Sequence, residues 1–306
     1  MDIWIERFIT YLRAERHYSE QTVAVYEPTL CGFAAFVGNN GQLSVVNGQS
    51  IDWSIVSRDD VREWIASQME QHKAAATVNK QLSALRSFYK YLLMCKAVES
   101  DPTRTLKGPK KEKKLPYFVR EKEMDNLFDN ITFSDDYAGC RDRLILLIFY
   151  STGIRLSELV GLDVSSVNFH SSTIKVLGKR NKERIVPFGA ELKEALEAYL
   201  PMREQQPQAV DNPALFLGVK VPRITKGAVS EIVKRCLSQV TTQRKRSPHV
   251  LRHTFATAML NNGAEIEVVK QLLGHESIAT TEIYTHTTFE ELKKAYQQAH
   301  PRAEKE

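Results

Sequence analysis

The stretch DRLILLIFYSTG, residues 142–153, is too apolar to form a helix at the surface of a protein. A helix that is apolar on all sides is typical of a protein core. Its last residue is Gly153, and glycine commonly follows the final turn of a helix because it adopts a left-handed backbone conformation without strain. We therefore predict a buried helix that ends at Gly153.

A β-hairpin and more helices are predicted after this helix. Residues 172–188, STIKVLGKRNKERIVPF, alternate apolar and polar through Ile174 and Val176, turn at 178–181 and return through Val186, which is the pattern of two paired strands. Later segments have the period of helices, and the last two are each closed by a glycine in the C-cap position: 190–200, 226–240, 248–263 and 265–274. We predict a C-terminal α+β domain, mainly helical with one small sheet.

The chain before residue 108 has the apolar spacing of amphipathic helices. Ser19 and Thr77 are predicted N-caps, and Pro28 is expected to kink the second helix. The apolar stripes are Ile5, Phe8, Ile9 and Leu12, then Val23, Tyr26, Leu30 and Phe33, then Val78, Leu82, Leu85, Tyr89 and Leu92. We predict an all-helical domain over residues 1–108, a lysine-rich linker between two prolines over 109–116, and a second domain over 117–306.

The composition of the 306-residue chain is that of an ordinary globular protein, 42% hydrophobic and 26% charged. Its net charge of +5 permits contact with a polyanion without requiring it. The four cysteines are scattered, which indicates neither a zinc site nor a disulfide framework. Charges interrupt the apolar residues of the N-terminal stretch, which is typical neither of a signal peptide nor of a membrane span. We expect a soluble cytoplasmic protein.

The stretch SPHVLRHTFA, residues 247–256, brings two histidines and an arginine together. His249 and His253 have the spacing of zinc-binding histidines on a helix, but the charge of Arg252 would repel a divalent metal. The planar guanidinium of arginine matches two phosphate oxygens. Arg155 begins another helix just after Gly153, where a cation is unfavourable unless it meets an anion. The residues favour a phosphate site over a metal site, and a surface ion pair stays open as the more common role of either arginine taken alone.

Four motifs in fixed order carry a family resemblance. They are TGIRLSELVGL at 152–162, GKRNKERIVPF at 178–188, HVLRHTFAT at 249–257 and LLGHESIATTEIYTH at 272–286. With them the chain resembles the tyrosine recombinases of the phage-integrase type, and in style the Xer site-specific recombinases. The stretch TVNKQLSALRSFYKYL, 77–92, is similar to the core-DNA-binding helix of that family. The resemblance implies a two-domain clamp on DNA, with a helical core-binding domain and a catalytic domain.

The resemblance also implies roles for individual residues. The matching catalytic residues are Arg155, Lys179, His249, Arg252, His275 and the nucleophile Tyr284. Glu158 matches an acidic position that supports the site from behind the first arginine. His253 belongs to the motif but not to the catalytic set, and we expect it to be structural. Arg180 stands where hairpins of the family often carry glycine, so its side chain is expected to alter the turn or add a phosphate contact.

The implied reaction is an attack of Tyr284 on a DNA phosphate to give a 3′-phosphotyrosine. It needs neither ATP nor a metal, so no cofactor is expected. The expected partners are double-stranded DNA with a specific recombination site and a homo- or hetero-tetramer on two such sites. The C-terminal tail, with Phe289, Leu292 and Tyr296 on one face, packs on its own domain or docks into a neighbour, and the resemblance favours the neighbour. A type IB topoisomerase, a catalytically inactive DNA-binding relative and a metal-dependent nuclease stay open as alternatives.

Overall fold

The computed structural model describes residues 2–39, 45–46, 50–110, 117–178, 182–274 and 289–303. The chain divides into two compact units, Met1–Lys114 and Leu115–Glu306. The helices within the described ranges are all too short or too polar to cross a membrane.

The first unit is built from helices and a very short strand pair. Its elements are α1 (Ile3–Ala14), α2 (Glu20–Asn39), β1 (Val45–Val46), β2 (Ser50–Ile51), α3 (Arg58–Glu70) and α4 (Ala75–Met94). The residues of the three predicted apolar stripes are buried, apart from the partly buried Tyr26. The prediction of amphipathic helices is therefore confirmed. The antiparallel pair β1–β2 and helix α3 are additional, and strands of two residues are too short to show a period.

Of the two N-caps predicted for the first unit, the structure confirms Ser19 and contradicts Thr77. The Ser19 hydroxyl accepts a hydrogen bond from the Thr22 backbone N–H at 3.3 Å, as expected of an N-cap. The prediction of Thr77 as the cap of α4 is wrong, because that helix begins at Ala75 behind Ala74, which offers no side-chain hydrogen bond. Pro28 lies inside the continuous helix α2.

The second unit combines helices with a three-stranded antiparallel sheet, so the predicted mainly helical fold with a small sheet is confirmed. Its helices are α5 (Glu121–Asp125), α6 (Tyr137–Thr152), α7 (Leu156–Val160), α8 (Ala190–Glu204), α9 (Lys226–Leu237), α10 (Pro248–Asn261), α11 (Ile266–Leu273) and α12 (Phe289–Ala299). The sheet has the order β3 (Val167–Asn168), β4 (Thr173–Leu177), β5 (Glu183–Pro187). β3 was not predicted, and it too is only two residues long.

Helix α6 is the buried helix that the opening stretch of sequence predicts. Its residues from Leu144 to Thr152 are all buried, and it packs against α8, α9 and α10. It ends at Gly153, whose backbone has a φ of +58°. A Cβ at this position would lie 2.4 Å from the Phe255 ring, so that both the backbone conformation and the packing of α10 require glycine. The chain therefore leaves the core at Gly153 and enters the region of the candidate site.

Helix α12 and the residues after it pack on the second unit of the same chain. Tyr296 is buried beside Phe255 and His300. Arg302 forms an ion pair with the buried carboxylate of Glu191 on α8 at 2.9 Å. Helix α12 therefore packs on the unit that carries it, and docking of the tail into a neighbouring protomer stays a prediction.

Candidate active site

Arg252 lies where α10 passes the end of α6. Its guanidinium is buried and donates from Nη1 to the Gly153 carbonyl and from Nη2 to the Leu273 carbonyl, both at 2.7 Å. The two acceptors belong to the end of α6 and the end of α11. A buried charge is tolerated only when it is hydrogen-bonded, and these two carbonyls fix the plane of the guanidinium.

Arg155 is the N-cap residue of α7 and donates two hydrogen bonds to Glu158, one from its backbone and one from its side chain. The Arg155 backbone N–H donates to Glu158 Oε2 at 2.7 Å, and its Nη1 donates to Oε1 at 2.8 Å. Its Nη2 donates to the Gly274 carbonyl at 2.9 Å. The sequence predicts that this arginine meets an anion, and within the chain that anion is the Glu158 carboxylate. About 29% of the Arg155 side chain stays exposed, which leaves donors for a further partner.

Arg184 on β5 completes a cluster of three arginines, Arg155, Arg184 and Arg252, around the carboxylate of Glu158. Arg184 is not among the site residues predicted from the sequence. Its Nη1 and Nη2 donate to the two oxygens of Glu158, both at 2.8 Å, and its Nε donates to the Leu272 carbonyl at 3.0 Å. A signal exists in the sequence, because Arg184 lies two residues before the buried Val186 and pairs with the buried Val176. Alternation along a strand therefore places it on the core face, where a charged residue needs a partner.

The three arginines meet the C-terminal end of helix α11. Arg184, Arg252 and Arg155 donate to the carbonyls of residues 272, 273 and 274 in that order. The last carbonyls of a helix have no partner within the helix and carry the negative end of its dipole, so cations are favourable there. Gly274 ends α11 with a φ of +63°. The end of this helix is thus fixed by side chains that come from α7, β5 and α10.

Two glycines beside the cluster, Gly178 and Gly274, are each followed in the sequence by a predicted site residue. A Cβ on Gly178 would come within 3.8 Å of Glu158 Oε1, and a Cβ on Gly274 within 3.1 Å of Arg184 Nη1. In the sequence, Gly178 is followed by Lys179 and Gly274 by His275. Predicted residues outside the described ranges are Lys179, Arg180, His275 and Tyr284.

Three guanidiniums and one carboxylate meet in the part of the cluster that the structure describes. Arg155 and Arg184 each form an ion pair with Glu158, and Arg252 donates to two backbone carbonyls. Burial alone would raise the pKa of Glu158, but hydrogen bonds from Arg184 and Arg155 outweigh it and hold that pKa at about 2. Burial and the nearby Arg155 lower the pKa of Arg252 to about 10, so it stays protonated at neutral pH. An anion bound here would offset this unfavourable environment.

His249 and His253 lie at the N-terminal end of α10 and are both exposed. Partial burial lowers the pKa of His253, and the nearby His249 and Arg252 lower it further. Among the described residues, no group of three His, Cys, Asp or Glu side chains is arranged to hold a metal ion.

Comparison with known proteins agrees with this geometry. The phage integrase family model matches residues 117–291, and the model of the phage integrase N-terminal SAM-like domain matches residues 5–96. The chain belongs to the phage integrase family. The tyrosine recombinase XerC of Pediococcus pentosaceus is 37% identical to this integrase over 304 residues, or 98% of each chain. XerC of Pelotomaculum thermopropionicum is 37% identical over 309 residues, or 99% of each chain.

A solved structure shares the fold of this integrase. The XerH site-specific recombinase bound to its difH substrate before cleavage has a TM-score of 0.71 at 23% identity, and the match covers 96% of this chain and 94% of that one. The integrase is a tyrosine recombinase, an enzyme that cleaves and rejoins DNA strands. The predicted family, fold class and enzyme class are therefore confirmed.

Proposed function

We propose that the arginine cluster is the phosphate-binding part of the active site and that the scissile DNA phosphate is the anion it binds. The observation that carries this proposal is that three guanidiniums meet at one helix end, where Glu158 and the carbonyls of residues 272–274 hold them in fixed orientations. Arg155 and Arg252 would bind the two non-bridging oxygens, whose charge increases in the transition state of phosphoryl transfer. Donors that are fixed before the reaction stabilise such charge most effectively, because they need no reorganisation.

The remaining roles follow from the requirements of breaking a phosphodiester. Tyr284 attacks the phosphorus, so that a bond forms between its phenolic oxygen and the phosphorus while the bond to the 5′-oxygen breaks. The ordinary pKa of a phenol is near ~10, so the attack needs a base, and we assign His249 to take the proton. Lys179 gives a proton to the departing 5′-oxygen, and His275 adds a hydrogen bond to the phosphate. Reversal of the same steps on another strand rejoins the DNA.

We further propose the assembly and the biological role. Exchange of strands between two duplexes requires two DNA sites and four protomers, each closing its two domains around DNA as a clamp. The domain division that we propose is 1–108 for DNA binding and 117–306 for catalysis, with 109–116 as linker. Similarity to proteins named XerC favours the resolution of chromosome dimers in the cytoplasm over integration or excision of a mobile element and over DNA inversion.

The test of this function has two stages. Covalent complexes with chromosomal DNA of the source organism are trapped and the attached sequences are mapped, which gives the recombination site. Two copies of that site are then placed in one supercoiled plasmid with EDTA present. We expect a deletion product that needs both copies. Relaxation of a plasmid with a single copy and no deletion product would instead support a type IB topoisomerase, and loss of cleavage in EDTA would support a metal-dependent nuclease.

A further inference from the structure

We propose that Arg184 is a positioning residue for the recombination reaction and that it acts through Arg155. The proposal rests on the proposed function of Arg155 as a ligand of the scissile phosphate. Arg184 itself is held away from solvent, with about 16% of its side chain exposed, and it donates from three different nitrogens to the chain.

Arg184 contacts both residues that accept hydrogen bonds from the Arg155 side chain within the described part of the chain. The first is Glu158, whose two oxygens are both bound by Arg184. The second is the Gly274 carbonyl, at the helix end where Arg184 binds the Leu272 carbonyl and packs on Gly274 itself. An arginine side chain is long and has many rotamers. Arg155 therefore keeps one orientation only as long as these two acceptors keep their places.

Lysine cannot replace Arg184 in this role. Arg184 donates from Nε to a backbone carbonyl and from both terminal nitrogens to one carboxylate. This pattern requires the planar, forked shape of a guanidinium. The three N–H donors of a lysine diverge from a single nitrogen, so they cannot reproduce the planar arrangement that reaches both Glu158 oxygens and the Leu272 carbonyl. Without the fork, both oxygens of Glu158 lose a hydrogen bond to Arg184, so the carboxylate can rotate and move the bound Arg155 guanidinium away from the phosphate.

Arg223 is a matched control at the other end of α7. It also binds backbone carbonyls and a carboxylate, with Nη1 donating to the Val160 and Leu162 carbonyls at 3.0 and 2.6 Å and Nη2 pairing with Asp163. It therefore stabilises the same short helix by the same chemistry. None of its hydrogen bonds named here involves Glu158 or Arg155.

The experiment measures single-turnover formation of the covalent complex by the full-length protein. The substrate is a synthetic duplex with the mapped site, a nick that prevents rejoining, and a scissile phosphate that is either natural or a methylphosphonate. Methylphosphonate lacks the charge that Arg155 is proposed to stabilise. The variants are Arg155→Ala, Arg184→Met, Arg184→Lys, Arg223→Met and the double variant Arg155→Ala with Arg184→Met. DNA affinity and thermal unfolding are measured for each.

We expect Arg184→Met and Arg184→Lys to cleave the natural phosphate about 10- to 100-fold more slowly at unchanged DNA affinity, as a misplaced catalytic group would. On the methylphosphonate substrate, both Arg184 variants should cleave at nearly the wild-type rate. Arg223→Met should change the cleavage rate by the same factor on both substrates. The double variant should be no slower than Arg155→Ala, because Arg184 acts through Arg155.

Three results would overturn the proposal. They are an undiminished natural-phosphate rate in both Arg184 variants, equal losses on both substrates, or a further loss when Arg184→Met is added to Arg155→Ala. If Arg155→Ala itself cleaves the natural phosphate at the wild-type rate, the proposed function of Arg155 fails as well. That single-variant result separates the two failures.

Discussion

Glu158→Gln tests the buried charge cluster most directly at the level of stability. The Glu158 side chain is about 2% exposed, and its pKa is held at about 2 against an ordinary value of 4.5. That difference corresponds to about 3 kcal/mol of stability at pH 7 from the ionised carboxylate. Glutamine keeps the shape but lacks the charge, and it leaves Arg155 and Arg184 facing an amide. We expect the second unit to lose about 3 kcal/mol, the usual cost of breaking a buried ion pair.

The assay is urea unfolding at pH 7, followed by two signals. All three tryptophans, at positions 4, 53 and 64, lie in the first unit, so their fluorescence reports on that unit alone. Far-ultraviolet circular dichroism follows the helices of both units. Glu158→Gln should shift the circular dichroism transition of the second unit to lower urea and leave the tryptophan fluorescence transition of the first unit unchanged.

The pH dependence gives the sign of the effect. The folded pKa of Glu158 is depressed, so its contribution is complete above pH 4.5 and is lost as the pH falls toward 2. The difference between wild type and Glu158→Gln should therefore be constant from pH 7 to pH 5 and shrink below pH 4.5. A difference of under about 1 kcal/mol at pH 7 would refute the assigned charge pairing, since even one buried ion pair costs more to break. An equal shift of the tryptophan signal would refute the assignment to the second unit.

Three further outcomes are expected. Burial lowers the pKa of His300 to about 4, and its ring donates to the Tyr150 carbonyl and accepts from the Arg302 N–H. As the pH falls, His300 is protonated in the unfolded chain before it is protonated in the folded one, so the second unit should lose about 2 kcal/mol of stability between pH 7.5 and pH 5. In urea titrations, His300→Gln should flatten this dependence of stability on pH. Tyr284→Phe should bind DNA normally and give no covalent complex on a denaturing gel. Lys179→Ala should slow cleavage by roughly ~10²–10⁴-fold and recover when sulfur replaces the bridging 5′-oxygen, because a thiolate leaves without a proton; absence of recovery would mean that the acid is a different residue.

The sequence predicts most of the parts of the fold that repeat with a period, but the 13-residue helix α3 was not predicted. The apolar stripes of α1, α2 and α4 and the buried helix α6 follow from the spacing of their residues, and Gly153 follows from the end of its pattern. Elements without room for a period were missed, such as the two-residue strands β1 and β3. The start of α4 was misplaced because apolar spacing fixes the face of a helix better than its first residue.

The candidate site divides in a similar way. Arg155 and Arg252 are found through motifs of neighbouring residues. Arg184 is not, because its partners Glu158 and Leu272 lie 26 and 88 positions away along the chain. The contact of Arg155 with Gly274 spans 119 positions. Only the folded chain brings three arginines to one helix end, and no local pattern contains that arrangement.

The identity of the residue that becomes linked to DNA tests the central claim most directly. The trapped covalent complex is formed in EDTA and digested with protease and nuclease, and the peptide that retains a nucleotide is sequenced by mass spectrometry. The account predicts that the nucleotide is attached through its 3′-phosphate to Tyr284, and that Arg252→Ala greatly reduces the yield of this peptide. A nucleotide attached to another residue, a linkage through a 5′-phosphate, or complete absence of a linked peptide would contradict it.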